Sequence, residues 1–378
     1  MKKICYVTTI GSTIKAFFLE TLQALNEQGY EVTVICNYDI ELKNILPQGV
    51  RYIPIKMNRG IDIVGSIRAI KSFYRIFRQE KFDLIQYSTP NASFYAAVAA
   101  FFAHIHIRVY HNMGFICTSF TGIKKTVFLY MERVICRLSN KVQFTSKENL
   151  KYAVKNKIVT KDKAYIIWNG STGGVSLDRF NLEMRSKWSS EIRNKYGIAS
   201  SDFVIGFVGR INRDKGINEL LKAFKKMKIK EDIKLLIVGK VDSLEGIDIE
   251  LWNWAQTENS IIFSGEQIEI EKYYAALNIL ILPSFREGFG NVIIEAAAMA
   301  TPTIASDIPG PRDIIIHGET GFLTEVKNVE QLCEKFEDAQ KNRERISLIG
   351  KAAYKDIAKK YDSRVLIQKI LEDKKTYF

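Results

Sequence analysis

The sequence predicts an α/β protein of two Rossmann-like domains, whose parallel sheets face each other across a cleft. Three observations carry this expectation. The chain has 378 residues, enough for two domains at roughly 100–200 residues each. Short β-branched runs alternate with segments whose apolar residues recur at helical spacing, the signature of βαβ units and a mostly parallel sheet. A polar stretch at 171–190, STGGVSLDRFNLEMRSKWSS, interrupts this rhythm, which then starts again. A composition of 47% hydrophobic and 26% charged residues suits packed domains and excludes disordered, collagen-like and coiled-coil classes.

Taken in order, KKICYVTT is the first strand. After Gly11, residues 15–28 (KAFFLETLQALNEQ) are expected to form a helix that Gly29 terminates. EVTVICN is a strand, IVGSIRAIKSFYRIFRQ an amphipathic basic helix, FDLIQYS a strand and NASFYAAVAAFFA a helix of small and aromatic residues. IRVYHNM, the helix TVFLYMERVICRLS and the strand NKVQFTS complete the first half. In the second half DFVIGFVGR, IKLLIVGK, SIIFSGE, NILILPS and TPTIASD read as strands. INELLKAFKKMK, IEKYYAALN, NVIIEAAAMA, QLCEKFEDAQKN and a last segment from about Ser347 read as helices. The expected layout is a first domain over 1–175, a linker and domain entry over 176–200, a second domain over 201–355, and a terminal helix over 356–378. In open parallel sheets, ligands bind outside the carboxyl ends of the strands, so the loops there are where chemistry is sought.

No apolar run approaches the about 20 residues of a spanning helix; the greasiest, Tyr95 to Ile107, is broken by His104 and His106, both expected to be structural. The opening MKKICYVTTIGST reads as a strand and not a signal peptide. Five scattered cysteines without a C-x-x-C speak against disulfides and zinc and for the reducing cytoplasm. The net charge of +13 is asymmetric: residues 1–180 hold 25 basic and 12 acidic side chains, and residues 181–378 hold 30 of each. The first half therefore expects an anionic partner: nucleic acid, a phosphorylated ligand or a membrane surface. Its basic residues are dispersed and form no nucleic-acid module, which disfavours the first. Two helices suit the third. Arg68, Lys71, Arg75 and Arg78 lie among Ile67, Ile70, Phe73, Tyr74 and Phe77, and Lys124, Lys125, Arg133 and Arg137 beside Phe120, Val127, Phe128, Leu129 and Tyr130.

The sharpest motif is PSFREGFGNVIIEAAAMATP. A strand ends at Leu282, a loop holds Gly288 and Gly290, and a helix begins near Asn291, so backbone N–H groups can meet an anion at the helix N-terminus. Glu287 and Glu295, eight positions apart, can line one cleft and accept hydrogen bonds from sugar hydroxyls. Earlier in the same half, VGRINRDKG places Arg210 and Lys215 in a loop at a strand's carboxyl end, a fork and a point charge suited to a diphosphate. No Asp-x-Asp or His/Cys cluster offers metal ligands. A dinucleotide dehydrogenase would need G-x-G-x-x-G after a strand, and the chain lacks it at Gly11.

With GRINRDKG, FSGE, E-G-F-G-N-x-x-x-E and IPGPRDIIIHGETGFL, residues 204–322 resemble the family 4 glycosyltransferases, retaining enzymes of the GT-B fold, among them bacterial capsule and O-antigen transferases. The first half resembles them more loosely, through its strand–helix order, its glycine turn, His111 and NGSTGGVSLDRF, where Ser176 replaces the family's usual Asp. The family's paired glycine is absent beside Gly11, and Ala300 stands where Gly often precedes T-P; Ala300 is expected to matter little, because Ala suits a helix end.

The resemblance implies that Gly11, Ser12, Gly209, Arg210, Lys215, Glu287, Gly288, Phe289, Gly290, Asn291, Val292 and Glu295 bind the donor. It implies catalytic roles for Glu287, His111, Arg210 and Lys215. Glu295 would hold the ribose hydroxyls, and His111 would lie near the donor sugar's 6-position. Further implications are a nucleotide-sugar donor carrying UDP by family habit, front-face attack, no metal or cofactor, and a lipid-linked saccharide acceptor on undecaprenyl diphosphate. The enzyme would then work peripherally at the cytoplasmic face of the membrane, with no nucleic-acid partner. A sugar-nucleotide epimerase or phosphorylase on the same scaffold is the alternative, which the E-x7-E context disfavours.

Overall fold

The computed structural model describes residues 1–58, 62–227 and 232–378, so Lys228, the end of the expected 217–228 helix, lies outside them. The chain divides into two compact units: Met1–Gly173 with Arg364–Phe378, and Gly174–Ser363.

Unit 1 holds strands β1 (Lys3–Val7), β2 (Glu31–Cys36), β3 (Arg51–Pro54), β4 (Leu84–Ser88), β5 (Ile107–Asn112), β6 (Lys141–Phe144) and β7 (Ala164–Tyr165). They form a parallel sheet in the order β3-β2-β1-β4-β5-β6-β7. Its helices are α1 (Gly11–Phe17), α2 (Leu19–Glu27), α3 (Ile40–Ile45), α4 (Ile63–Glu80), α5 (Pro90–Phe102), α6 (Gly122–Leu138) and α7 (Lys147–Lys155). One face of the sheet packs against α4, α5 and α6 through Phe73, Phe77, Tyr95, Phe128 and Ile135. The other face packs Ile14, Phe18, Leu22 and Leu25 against Ile4, Tyr6 and Val34.

Unit 2 holds α8 (Arg185–Lys195), β8 (Phe203–Val208), α9 (Ile217–Lys226), β9 (Ile233–Val238), α10 (Ile249–Thr257), β10 (Ile261–Gly265), α11 (Ile270–Ala276) and β11 (Ile279–Leu282). It continues through α12 (Asn291–Ala298), β12 (Thr303–Ser306), α13 (Pro311–Ile314), β13 (Gly321–Thr324), α14 (Val329–Lys341) and α15 (Arg343–Lys360). Its parallel sheet runs β10-β9-β8-β11-β12-β13. The last helix, α16 (Ser363–Lys375), packs Leu366 and Ile370 on Ile167, and Leu371 joins the core of unit 1.

The strand–helix alternation of the sequence is thus present as two parallel sheets. Three details differ. The expected 15–28 helix is two segments, because Phe18 leaves helical geometry (φ −123°, ψ −13°) and turns inward onto the rings of Tyr6 and His111, 5.5 and 5.7 Å away. The last helical segment is also two helices. They separate where Val175 N–H donates to Tyr361 O and Ser363 N–H donates to Val175 O. The polar stretch 171–190 includes the first turns of α8.

Candidate functional site

In unit 2 the strand order reverses direction between β8 and β11, which makes the loops leaving these two strands the walls of the switch-point crevice. Both loops need glycine to reach their helices. Gly216 begins α9 with φ 73°, and a Cβ there would lie 2.0 Å from Pro283 O. Gly290 begins α12 with φ 99°. Neither helix has a side-chain N-cap, so the first N–H groups of two helices open on this end of the sheet, with the dipole sign that favours an anion.

The two loops are bound to one another. Phe285 N–H donates to Asp214 O at 2.9 Å. Arg286 reaches Asp214 Oδ2 at 3.0 and 3.2 Å. Lys215 Nζ donates to Glu287 Oε1 at 2.6 Å, a pair that is largely shielded from solvent. Arg210 is exposed and is held at 2.9 Å by Asp242, which also accepts from Asn212 Nδ2 and extends the β8–β9 pairing through Asp242 N–H to Ile211 O. Two cations thus stand at one loop, each oriented by a carboxylate from a neighbouring loop. Ser284, fully buried at the end of β11, has an Oγ with no hydrogen-bond partner.

Of the other residues expected there, Phe289 is buried against Tyr361, with ring centroids 5.2 Å apart, while Gly209, Gly288, Asn291 and Val292 are half-buried along the same loops. Glu295 is on α12, half-buried, and accepts from Tyr274 Oη at 2.8 Å. Desolvation raises its carboxyl above the usual range, and the Tyr274 hydrogen bond opposes this.

The remaining expected residues lie in unit 1. Gly11 is buried at the start of the seven-residue α1, with Ser12 exposed beside it. A Cβ on Gly11 would lie 2.3 Å from Asp39 Oδ2, so a carboxylate already packs against that backbone. The reversal of strand order in this sheet falls between β1 and β4. There Thr9 N–H donates to Thr89 Oγ1 at 2.9 Å, and Thr89 holds φ at 70°, a strained geometry for a β-branched residue. His111, at 1% exposure, sits inside unit 1. Gln86 Nε2 lies 3.3 Å from its Nδ1, and Nε2 has no partner. Burial, and then the charge of Lys374, push its pKa down to about 3, so the imidazole is neutral at physiological pH.

Asp214, Asp242, Ser284, Tyr274, Thr89 and Lys374 were not legible in the sequence. Asp214 had a local signal, since it precedes Lys215 within the motif. The others come to their neighbours from separate elements: Asp242 and Thr89 from loops, Ser284 from the end of β11, Tyr274 from α11 and Lys374 from α16. Among the described residues, no group of three or more His, Cys, Asp or Glu side chains is placed to hold a metal ion.

Two family profiles together span most of the chain: "Glycosyltransferase Family 4" matches residues 15–171, and "Glycosyl transferases group 1" matches residues 189–356. The chain is a family 4 glycosyltransferase. Its fold is GT-B, as in Anabaena HepE solved in complex with UDP and glucose, which aligns over 100% of both chains with TM-score 0.81 at 20% identity. The capsular polysaccharide biosynthesis glycosyltransferase CapM of Staphylococcus aureus is 27% identical over 372 residues, 98% of this chain and 96% of its own. An Escherichia coli UDP-Gal:α-D-GlcNAc-diphosphoundecaprenol α-1,3-galactosyltransferase is 22% identical over 84% of this glycosyltransferase and 82% of its own length.

Proposed function

We propose that this glycosyltransferase moves a hexosyl or N-acetylhexosaminyl group from a UDP-sugar, with retention and without a metal, to an undecaprenyl-diphosphate-linked saccharide in capsule or surface polysaccharide synthesis. It would do so as a peripheral protein on the cytoplasmic face of the membrane. The observation that carries the reading is the pair of uncapped helix N-termini in unit 2, with Arg210 and Lys215 oriented beside them. Fixed cations and backbone N–H groups are the groups that stabilise a leaving diphosphate. In this reading Gly209, Gly288, Gly290, Phe289, Asn291 and Val292 shape the donor seat, Glu295 holds the ribose, Glu287 faces the sugar, and Gly11 and Ser12 lie under the diphosphate. Front-face attack, in which the leaving phosphate takes the acceptor proton, follows the family resemblance, and no side chain in the set is an evident nucleophile. His111 would meet the donor sugar as a neutral imidazole through its unpartnered Nε2, which requires its neighbours to move. The capsule role follows CapM, the lipid-linked acceptor follows the Escherichia coli relative, and the membrane role follows the charge of unit 1.

A thermal-shift series with UDP, GDP and ADP tests the donor. Saturation at 100 times the dissociation constant adds about 2.7 kcal/mol, and UDP is expected to stabilise most. Lys215→Ala should lower affinity for UDP more than for UMP; circular dichroism checks the fold, because Glu287 then loses its partner. Glu295→Ala should cost on the order of 1.5–3 kcal/mol of nucleotide affinity. Turnover should survive EDTA. Equal UDP and UMP losses in Lys215→Ala, or activity lost in chelator and restored by magnesium or manganese, would refute the reading.

A further inference from the structure

At the amino ends of β1, β4 and β5, the opposite end of the unit 1 sheet from Gly11 and Ser12, lies a cavity of about 650 Å³. Its size is that of a small-molecule site. Lys2, Arg78, Lys81, His104 and His106 surround it, with Asp83 as the acidic side chain of the lining. Asp83 is already satisfied on both oxygens, by Lys2 Nζ at 3.1 Å and by Lys3 N–H at 2.8 Å. Arg78 and Lys81 make no ion pair among the described residues. The cavity therefore presents two uncompensated cations and two imidazoles.

A basic residue at a helix end ordinarily compensates the dipole there, and Arg78 in the last turn of α4 fits that role. Lys81, the C-cap of α4, and His104 differ from Arg78 in backbone. They follow α4 and α5 in left-handed backbone, φ 54° and 57°, at positions where glycine is the usual, unstrained occupant. Each brings a side chain to the cavity at a conformational cost. Both histidines are exposed. Beneath the polar rim the walls are apolar, with Phe77, Phe82 and Ile105.

We infer that this cavity binds a phosphate-bearing amphiphile: the phosphate engages Arg78, Lys81 and the imidazole N–H groups, and the apolar part meets the Phe77, Phe82 and Ile105 wall. A fork and a point charge around one anion are the recurring phosphate-binding pair. The inference goes beyond the proposed reaction and is independent of it.

The chain has four histidines, so histidine-labelled full-length protein gives a readable NMR spectrum without any activity assay. Dihexanoyl phosphatidylglycerol, kept below its micelle concentration, should shift His104 and His106 and leave His317 unmoved. Dihexanoyl phosphatidylcholine should bind at least tenfold more weakly. The double variant R78Q/K81Q should lose affinity at least tenfold while His111 and His317 keep their native signals, which shows that the fold is intact. Glycerol 3-phosphate binding as tightly as the lipid would assign the same phosphate seat to a soluble ester, and weaker binding would assign it to a lipid headgroup. Absence of shifts with both phosphate anions, equal response to phosphatidylcholine, or unchanged affinity in R78Q/K81Q would overturn the inference. None of these outcomes bears on sugar transfer.

Discussion

At Ala300 the structure changes the reason behind the sequence reading. The residue was expected to matter little because alanine suits a helix end, but it sits beyond α12 in left-handed backbone with φ 50°. Relief of that strain by glycine is worth roughly 1–2 kcal/mol. Against it stand the extra chain entropy of glycine, about 0.5–1 kcal/mol, and a buried methyl group, about 0.8 kcal/mol. Ala300→Gly should therefore leave stability nearly unchanged in a urea titration. Ala300→Val adds β-branching at the same φ and should cost more than about 1 kcal/mol; a neutral valine would show that the backbone relaxes out of the left-handed region. The same division runs through the site. Arg210, Lys215, Glu287 and Glu295 were legible because each lies in a short motif beside a strand end or helix start. Their partners Asp242 and Tyr274 were not, since 32 and 21 positions separate them from Arg210 and Glu295, and no local spacing encodes such a meeting.

Helix α6 carries a group that its amphipathic pattern hides. It was read as a basic face over an apolar one, yet Glu132 lies on its buried side and accepts from Tyr110 Oη at 2.8 Å, with Asn112 Nδ2 donating to the same hydroxyl at 3.0 Å. Desolvation pushes the Glu132 carboxyl up to about 7, the Tyr110 hydrogen bond opposing this. Over the window from the ordinary glutamate value of 4.5 to about 7, the folded state holds a proton that the unfolded state has released. Stability therefore falls as pH rises through that window, by at most about 1.4 kcal/mol per unit, and flattens above it. Glu132→Gln should remove this slope, making the variant progressively more stable relative to the parent from pH 5 to about pH 7, with a constant gap above that; parallel urea profiles would sink the assignment. Elements with strong periodicity, such as α4, α9 and β8, were legible in the sequence. The short β3 and β7, two to four residues long, gave no pattern above noise and exist because neighbouring strands supply their hydrogen bonds.

At the scale of the molecule, the question is what the basic excess of unit 1 meets. No helix among the described residues is long and apolar enough to cross a membrane, so an interfacial contact would have to come from side chains on the surface. The structure keeps some of the expected ones and moves others into the core. Phe73 and Phe77 of α4 and Phe128 of α6 are core residues, because those faces lie on the sheet. Of the residues the sequence pointed to, Ile67 and Tyr74 on α4 and Val127 and Tyr130 on α6 are exposed; Ile63, Val64 and Ile123 join them, with Ile123 at 85% and Ile63 at 72% exposure. On the same two helices Arg68, Lys71, Arg75, Lys124, Lys125, Arg133 and Arg137 are exposed. Helix α5 packs against both α4 and α6, so basic and apolar side chains belong to one layer of neighbouring helices. Such a layer suits insertion of a few aliphatic side chains among headgroups, while each cation near an anionic leaflet adds about fivefold in affinity. Flotation with vesicles separates the contributions. The protein should rise with phosphatidylglycerol vesicles, stay behind with phosphatidylcholine, and detach as salt shortens the Debye length. Neutralising Lys124, Lys125, Arg133 and Arg137 together should weaken binding by two orders of magnitude or more, and Ile123→Ser should weaken it without changing its salt dependence. These positions lie outside the amino-end cavity, so R78Q/K81Q tests that site separately. If the protein ignores anionic vesicles at low salt, the acceptor is soluble, and the positive field of unit 1 acts on the charge of that acceptor instead.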